Sequence, residues 1–213
     1  TSFRNGGAHL FRLKNGKAKP FSSFKGLNTG AVESPDGKWV AATLSKDGNP
    51  EVYLIDTKTG KVGRRLTSHW GIDTSPSWSP DGKQIAFVSD RHGSPQIWVM
   101  SLAGGEPRRL TFQGDYNTTP AWSPRGDAVA FTARDERNVF DIFSVAVADG
   151  KMQRLTQNQG NNEEPTWSPD GRYLAFTSTR TGKAKLYIMT ADGKVQTQIS
   201  TGKGAYMTPY WER

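Results

Sequence analysis

The sequence has no cysteine, which excludes disulfide frameworks, thiolate metal sites and cysteine nucleophiles. It has no run near the roughly 18 apolar residues that a membrane helix needs, so no membrane insertion is expected. Blocks of like charge are absent too. Against 20 Asp and Glu stand 28 Lys and Arg, a net charge of +8, yet the longest basic runs are pairs such as Arg64-Arg65 and Arg108-Arg109. That excess suits an anionic partner, a polyanion or an acidic surface, while its even spread argues against nucleic acid, whose binders usually concentrate their charge. Catalytic signatures are also missing: no G-x-S-x-G elbow, H-E-x-x-H, P-loop or G-x-G-x-x-G occurs. His9, His69 and His92 lie in different repeats without metal-ligand spacing. No enzyme, metal or cofactor is expected. The first residues, Thr1-Ser2-Phe3-Arg4, are neither an initiator methionine nor a signal peptide, and suggest a portion of something longer.

What the chain does contain is enough for one core. Hydrophobic residues make up 34% of its 213 residues, and the 23 glycines bring the total to about 45%, at the low edge for globular domains. A repeat organises it. Pro76-Ser77-Trp78-Ser79-Pro80-Asp81-Gly82 recurs as Pro120-Ala121-Trp122-Ser123-Pro124-Arg125-Gly126 and as Pro165-Thr166-Trp167-Ser168-Pro169-Asp170-Gly171. It is degenerate at Ala31-Val32-Glu33-Ser34-Pro35-Asp36-Gly37 and truncated at Pro209-Tyr210-Trp211. Steps of 44 or 45 residues separate Glu33, Trp78, Trp122, Trp167 and Trp211, the period of propeller blades. Each period holds a Pro-Asp-Gly turn, an apolar segment such as Ile85-Ala86-Phe87-Val88-Ser89, an alternating strand such as Gln96-Ile97-Trp98-Val99-Met100, and a short basic strand such as Arg108-Arg109-Leu110-Thr111. Four short strands rich in β-branched and aromatic residues, with no persistent 3.6-residue period, predict an all-β propeller.

Lettering the strands a to d from the axis outward, the first period begins in strand b and the last stops in strand a. We therefore expect five four-stranded blades in one domain, residues 1–213. The blades would be 1–27 plus 208–213, then 28–72, 73–116, 117–161 and 162–207, with the C-terminal strand closing the first blade. Closure removes a free inner edge, which would otherwise invite aggregation. The repeated Trp is expected as a wedge between neighbouring sheets, and the Pro-Asp-Gly turns as hairpin chemistry.

The order P-x-W-S-P-D-G, I-A-F-x-S, I-Y/W-x-M, R-R-L-T resembles the repeat of the TolB propeller family over essentially the whole chain. The segments 44–53 (Leu44 to Tyr53) and 160–167 (Gly160 to Trp167) are particularly similar to it. That family is periplasmic, serves the Tol-Pal envelope system, and carries a six-bladed propeller behind an α/β domain, whereas this chain has material for five blades. The resemblance implies a non-enzymatic, monomeric protein-binding propeller in the periplasm, with the lipoprotein Pal as partner. Propellers of prolyl-oligopeptidase-like peptidases share the repeat, so a substrate-gating propeller is the alternative. A sugar-cleaving propeller would need paired carboxylates, for which Glu33, Asp73, Asp115, Glu163 and Glu164 are the candidates.

The d-to-a and b-to-c loops must emerge on one face. The former combine Trp70, Asp73, Asp115, Tyr116, Asn117, Asn161, Asn162, Glu163 and Tyr206, a mixture suited to interface anchors and directed hydrogen bonds. Aligning the blades on the strand-c aromatic (Phe11, Tyr53, Trp98, Tyr187) places Arg4, Lys46, Arg91 and Arg180 seven residues earlier, with Arg134 nearby in the remaining blade. A ring of five cations facing the partner is expected.

Overall fold

The computed structural model describes residues 1–3 and 6–211. Among these it is all-β, with four antiparallel four-stranded sheets and one two-stranded sheet. The small sheet holds β1 (Leu10–Lys14) and β2 (Lys17–Ser22). The four-stranded sheets follow in chain order: β3 (Asn28–Glu33), β4 (Trp39–Leu44), β5 (Glu51–Asp56) and β6 (Val62–Arg65); then β7 (Asp73–Trp78), β8 (Gln84–Ser89), β9 (Gln96–Ser101) and β10 (Arg108–Arg109). Next come β11 (Asn117–Trp122), β12 (Ala128–Arg134), β13 (Phe140–Ala146) and β14 (Met152–Arg154), and last β15 (Asn162–Trp167), β16 (Tyr173–Ser178), β17 (Lys185–Thr190) and β18 (Gln196–Gln198). Every sheet is a meander, so the chain walks outward through each blade and returns to the axis by a loop. The inner strands β3, β7, β11 and β15 pack one against the next.

Local chemistry explains each step. In the Pro-Asp-Gly turns the acid caps the bend: Asp81 Oδ1 accepts from the Ser79 hydroxyl at 2.6 Å and from Lys83 N at 3.0 Å, and Gly82 takes φ 69°, a conformation other residues rarely adopt. The same arrangement recurs at Ser34-Asp36 and Ser168-Asp170. These hydrogen bonds hold the Asp36, Asp81 and Asp170 carboxyls below the usual carboxylate range. Beyond the turn, strand b is buried on both faces and reads as a nearly continuous apolar run. Phe87, Phe131 and Phe176 are fully buried between neighbouring sheets, each such burial being worth about 1.5–3 kcal/mol.

Each inner strand carries a bulge that spans the same two residues: the register slips between Thr29 and Val32, Thr74 and Ser77, Thr118 and Ala121, and Glu163 and Thr166. At that point Gly30, Ser75, Thr119 and Glu164 sit at φ 47° to 61°. Three are not glycine, so the strain must be offset, and the preceding blade supplies the contact. Thr43 Oγ1 accepts from Ser75 N at 3.2 Å, and Thr132 Oγ1 accepts from Glu164 N at 3.0 Å. The repeated Trp is the second clamp. Trp78 Nε1 donates to Val32 O, Trp167 Nε1 to Ala121 O and Trp211 Nε1 to Thr166 O, all at 3.0–3.1 Å. Trp122 departs from the pattern by donating to Gly126 O in its own turn.

The first blade differs from the expected four strands. It consists of β1, β2 and an isolated bridge between Ser2 and His9. Residues 201–211 belong to no strand, so the expected ladder between residues 209–211 and the strand at residues 1–3 does not occur among the described residues; Arg4, Asn5, Glu212 and Arg213 lie outside them. The segment nevertheless keeps the inner-strand conformation. Thr208 has φ 55°, its amide donates to Thr177 Oγ1 at 3.2 Å and to Glu164 Oε2 at 2.8 Å, and Trp211 makes the inter-blade indole bond. Among the described residues the fifth inner segment is thus docked on the preceding blade and forms no ladder with the first one.

Candidate protein-binding face

The loops at the d-to-a and b-to-c ends form one knitted platform. Each loop entering a blade is tied to that blade's own b-to-c loop: Leu27 N donates to Ser45 Oγ, Ile72 N to Asp90 Oδ1, Arg134 N to Tyr116 O and Asn161 N to Thr179 Oγ1, at 2.6–3.0 Å. Asn49 Nδ2 also reaches back to His69 O at 2.9 Å and Gly71 O at 2.6 Å. Gly71 is required by this closeness, since a Cβ there would stand 2.7 Å from Asp90 Oδ1 and 3.0 Å from the Arg91 backbone. A platform fixed before contact loses less freedom on binding.

Apolar side chains project from it. Trp70 is 75% exposed, Phe112 71% and Met207 64%. Tyr116, Tyr206, Ile72 and Leu27 are exposed to a lesser degree. Tyr116 packs edge-on against Phe140, and Tyr206 lies beneath Lys185 Nζ. The sequence pointed to Trp70, Tyr116 and Tyr206 but missed Leu27, Ile72, Phe112 and Met207, whose apolar character inside a polar loop was the available signal.

Three of the expected contact residues sit elsewhere. Asp73, Asn117 and Asn162 are fully buried; they open the inner strands and join blades, so they are not exposed anchors. Asn161 is half-buried, and its Oδ1 accepts from Phe140 N. Glu163 is half-buried at the bulge, where burial and then the Glu164 charge push its carboxyl up. Asp115 remains exposed and pairs with Arg134 at 3.1 Å.

The ring of five cations is largely spent within the fold, a correction to the expectation of a free basic rim. Arg91 Nη2 lies 2.8 Å from Asp73 Oδ2, with 10% of its side chain exposed. Its guanidinium also stacks on Trp98, 4.7 Å from the ring centre, and donates through Nε to Ser89 Oγ. Lys46 pairs with Asp47 at 2.7 Å and lies over Tyr53. Burial, then the hydrogen bond to Asp47, pushes the Tyr53 phenol up to about 12. Arg180 stacks 4.2 Å from the Tyr187 ring centre and donates to Asn162 Oδ1 and Ser178 Oγ; burial lowers its pKa. Arg4 lies outside the described residues. An arginine laid on an aromatic at the end of strand c is a packing device, which the seven-residue offset alone could not distinguish from a binding ring.

Beneath the face lies a polar network that the sequence reading overlooked. At the start of strand c stands Glu51, Gln96 or Asp141, each fully buried and each two positions before the strand-c aromatic or its equivalent. Each accepts from a Thr at the end of its own blade, Thr67, Thr111 or Thr156. Gln96 Oε1 and Asp141 Oδ1 also accept from Asn117 and Asn162 of the next blade. Arg154 pairs with Asp141 and with Asp135. Burial pushes the Asp135 carboxyl up, but hydrogen bonds from Arg137, Val139 N and Arg154 outweigh it and hold it well below the usual range.

On the opposite side, a central cavity of about 930 Å³ is lined by the inner-strand Pro and Trp residues and by the first blade. Among the described residues Glu33 is the one acid lining it. No group of three or more His, Cys, Asp or Glu is arranged to hold a metal ion among the described residues, and no helix is long and apolar enough to cross a membrane.

Repeated meander blades, the shared inner-strand bulge and the indole bond from blade to blade define a β-propeller. A family model described as TolB beta propeller domain matches residues 1–211, and the chain belongs to that family. It is 44% identical over 72 residues to the Tol-Pal system protein TolB of Desulfosudis oleivorans, a match covering 33% of this chain and 16% of that protein. The crystal structure of TolB from Acinetobacter baumannii is 32% identical with a TM-score of 0.86, covering 97% of this chain and 52% of that one. A putative TolB from Agrobacterium tumefaciens is 27% identical with a TM-score of 0.81, covering 91% and 69%. The chain thus spans about half the length of the A. baumannii protein.

Proposed function

We propose that this chain is a non-enzymatic protein-binding propeller that receives its partner on the d-to-a loop face, and that the partner is the Pal lipoprotein of the periplasmic Tol-Pal system. The observation that carries the reading is the concentration of exposed Trp70, Phe112, Tyr116, Tyr206 and Met207 on loops hydrogen-bonded into one platform. Exposed aromatics on a rigid surface are what hot spots are made of. Membership of the TolB propeller family supports Pal as the partner. Lys46, Arg91 and Arg134 are already paired with carboxylates inside the fold, so affinity rests on apolar burial with a polar rim, and the propeller acts as a monomer.

The test is calorimetric titration of purified Pal into the chain and its variants. Trp70→Ala and Tyr206→Ala each weaken binding by at least about 1–2 kcal/mol, whereas Lys83→Glu and Lys194→Glu, in turns on the opposite face, leave it unchanged. Equal losses for both pairs would place the contact elsewhere. No heat and no complex with Pal at high concentration would remove Pal as the partner.

A further inference from the structure

At three successive blade junctions a polar residue at the start of strand c meets the first residue of the next inner strand, and at two of them an amide donates across the gap. Asn117 Nδ2 lies 2.8 Å from Gln96 Oε1, and Asn162 Nδ2 lies 3.0 Å from Asp141 Oδ1. At the remaining junction both residues are acids, Glu51 and Asp73, each with 0% exposure. The repeat fixes which oxygen of Asp73 faces which neighbour. Asp73 Oδ2 accepts from Arg91 Nη2 at 2.8 Å, as Asn162 Oδ1 accepts from Arg180 Nη2 at 2.9 Å. Asp73 Oδ1 therefore stands where Asn162 carries its amide nitrogen. It has no hydrogen-bond partner among the described residues. Glu51 is an acceptor throughout: Oε1 takes hydrogen bonds from Arg65 Nη2 at 2.9 Å and His69 N at 2.8 Å, and Oε2 takes one from Thr67 Oγ1.

A carboxylate can donate only when protonated, and a buried ionised oxygen that receives no hydrogen bond is costly. We propose that Glu51 and Asp73 share one proton, held on Asp73 Oδ1 and donated to the Glu51 carboxylate, so that this junction takes up a proton when the chain folds. The proton restores, in acid form, the donor that asparagine supplies at the other two junctions.

Other titratable and polar groups face the pair from each packed element: Arg65 from β6, His69 from the following loop, the Ser89 hydroxyl at the end of β8, Asp90 and Arg91 from the loop after it, and Asp47 through Arg65. His69 Nδ1 accepts from Gly71 N and is therefore an unprotonated acceptor at that nitrogen. Burial pushes the Asp73 carboxyl up and the Glu51 charge adds to this, while the Ser89 hydroxyl and Arg91 pull the other way, with a net upward shift. The direction of the pH dependence follows from that shift. Because the folded value lies above the unfolded one, the pair's contribution is complete below the ordinary carboxyl range and is lost as pH rises toward the folded value.

The experiment compares the intact chain with Asp73→Asn and Glu51→Gln, by thermal unfolding from pH 5 to pH 8 and by infrared spectroscopy at pH 7. The Asp73→Asn variant presents a permanent donor to Glu51, copying the amide arrangement seen at Asp141 and Asn162, and the Glu51→Gln variant presents a permanent donor to Asp73. The expected result is that Asp73→Asn melts above the parent, with a gap that widens across this range by at least about 2 °C. The parent shows a protonated-carboxyl band at pH 7 that both variants lack. A gap that stays constant with pH, or a parent spectrum without that band, overturns the proposal. Should Glu51→Gln fail to fold, Asp73→Asn and the parent spectrum decide the matter alone.

Discussion

Arg91 separates two accounts of the cationic residues. As a steering charge on an open rim, its loss would slow association and leave the fold untouched. In the structure its guanidinium is bound to Asp73 at 2.8 Å and to Ser89 Oγ at 2.8 Å, lies over Trp98, and leaves 10% of the side chain in solvent. Arg91→Met keeps the aliphatic stem while removing both donors. Deleting one member of a buried pair costs about 3–5 kcal/mol, because the remaining charge has nowhere to go. The acid pair that faces Arg91 is most ionised at high pH, so the loss should be largest at pH 8. For a chain of this size each kcal/mol moves the melting temperature by about 2–4 °C, which gives a fall of at least about 6 °C. Differential scanning calorimetry at pH 6 and pH 8 reads it. A fall under about 3 °C at pH 8, corresponding to roughly 1 kcal/mol, with slower Pal association would refute the structural role and restore the steering one.

Three further outcomes follow from the contacts. Thr132→Val removes the oxygen that accepts from Glu164 N and Thr119 Oγ1 and should destabilise by about 1–3 kcal/mol in urea unfolding; a neutral result would mean the bulge needs no support from the neighbouring blade. Asp135 has a depressed carboxyl, so its contribution exists above the ordinary Asp range and is lost as pH falls through its folded value. Asp135→Asn should therefore melt lower than the parent at pH 7, with the gap closing toward pH 3, and a pH-independent gap would contradict the ion-pair account. Trp211→Ala removes the indole bond to Thr166 O and should lower the melting temperature, as should Trp167→Ala, which removes the equivalent bond to Ala121 O; unchanged melting of the Trp211 variant would show that the last segment is not part of the folded unit.

The period of 44 or 45 residues was legible because glycine turns and tryptophan wedges are local demands that each blade must meet by itself. The four complete blades are therefore visible in the sequence as soon as the repeat is aligned. The first blade was not, since whether the C-terminal segment ladders with the strand at residues 1–3 depends on long-range pairing that no local signal encodes. The loop aromatics Trp70, Tyr116 and Tyr206 were legible as residues that a mere linker does not need. The cationic ring misled because charge and spacing say nothing of what lies opposite: Arg91 faces Asp73, and Arg180 lies on Tyr187. Glu51, Gln96 and Asp141 were hidden for the converse reason. Polar residues at strand starts look solvated until the next blade covers them with Asp73, Asn117 and Asn162, a burial that is tolerated because each Asn donates across the junction.

Hydrogen–deuterium exchange of the chain with and without saturating Pal tests the central claim most directly, because it locates the contact without altering any residue. Binding at the loop face predicts added protection in residues 67–72, 112–117 and 203–208, with none in the turns at 35–38, 80–83 and 192–195. Protection confined to those turns, or spread evenly over both faces, would contradict it.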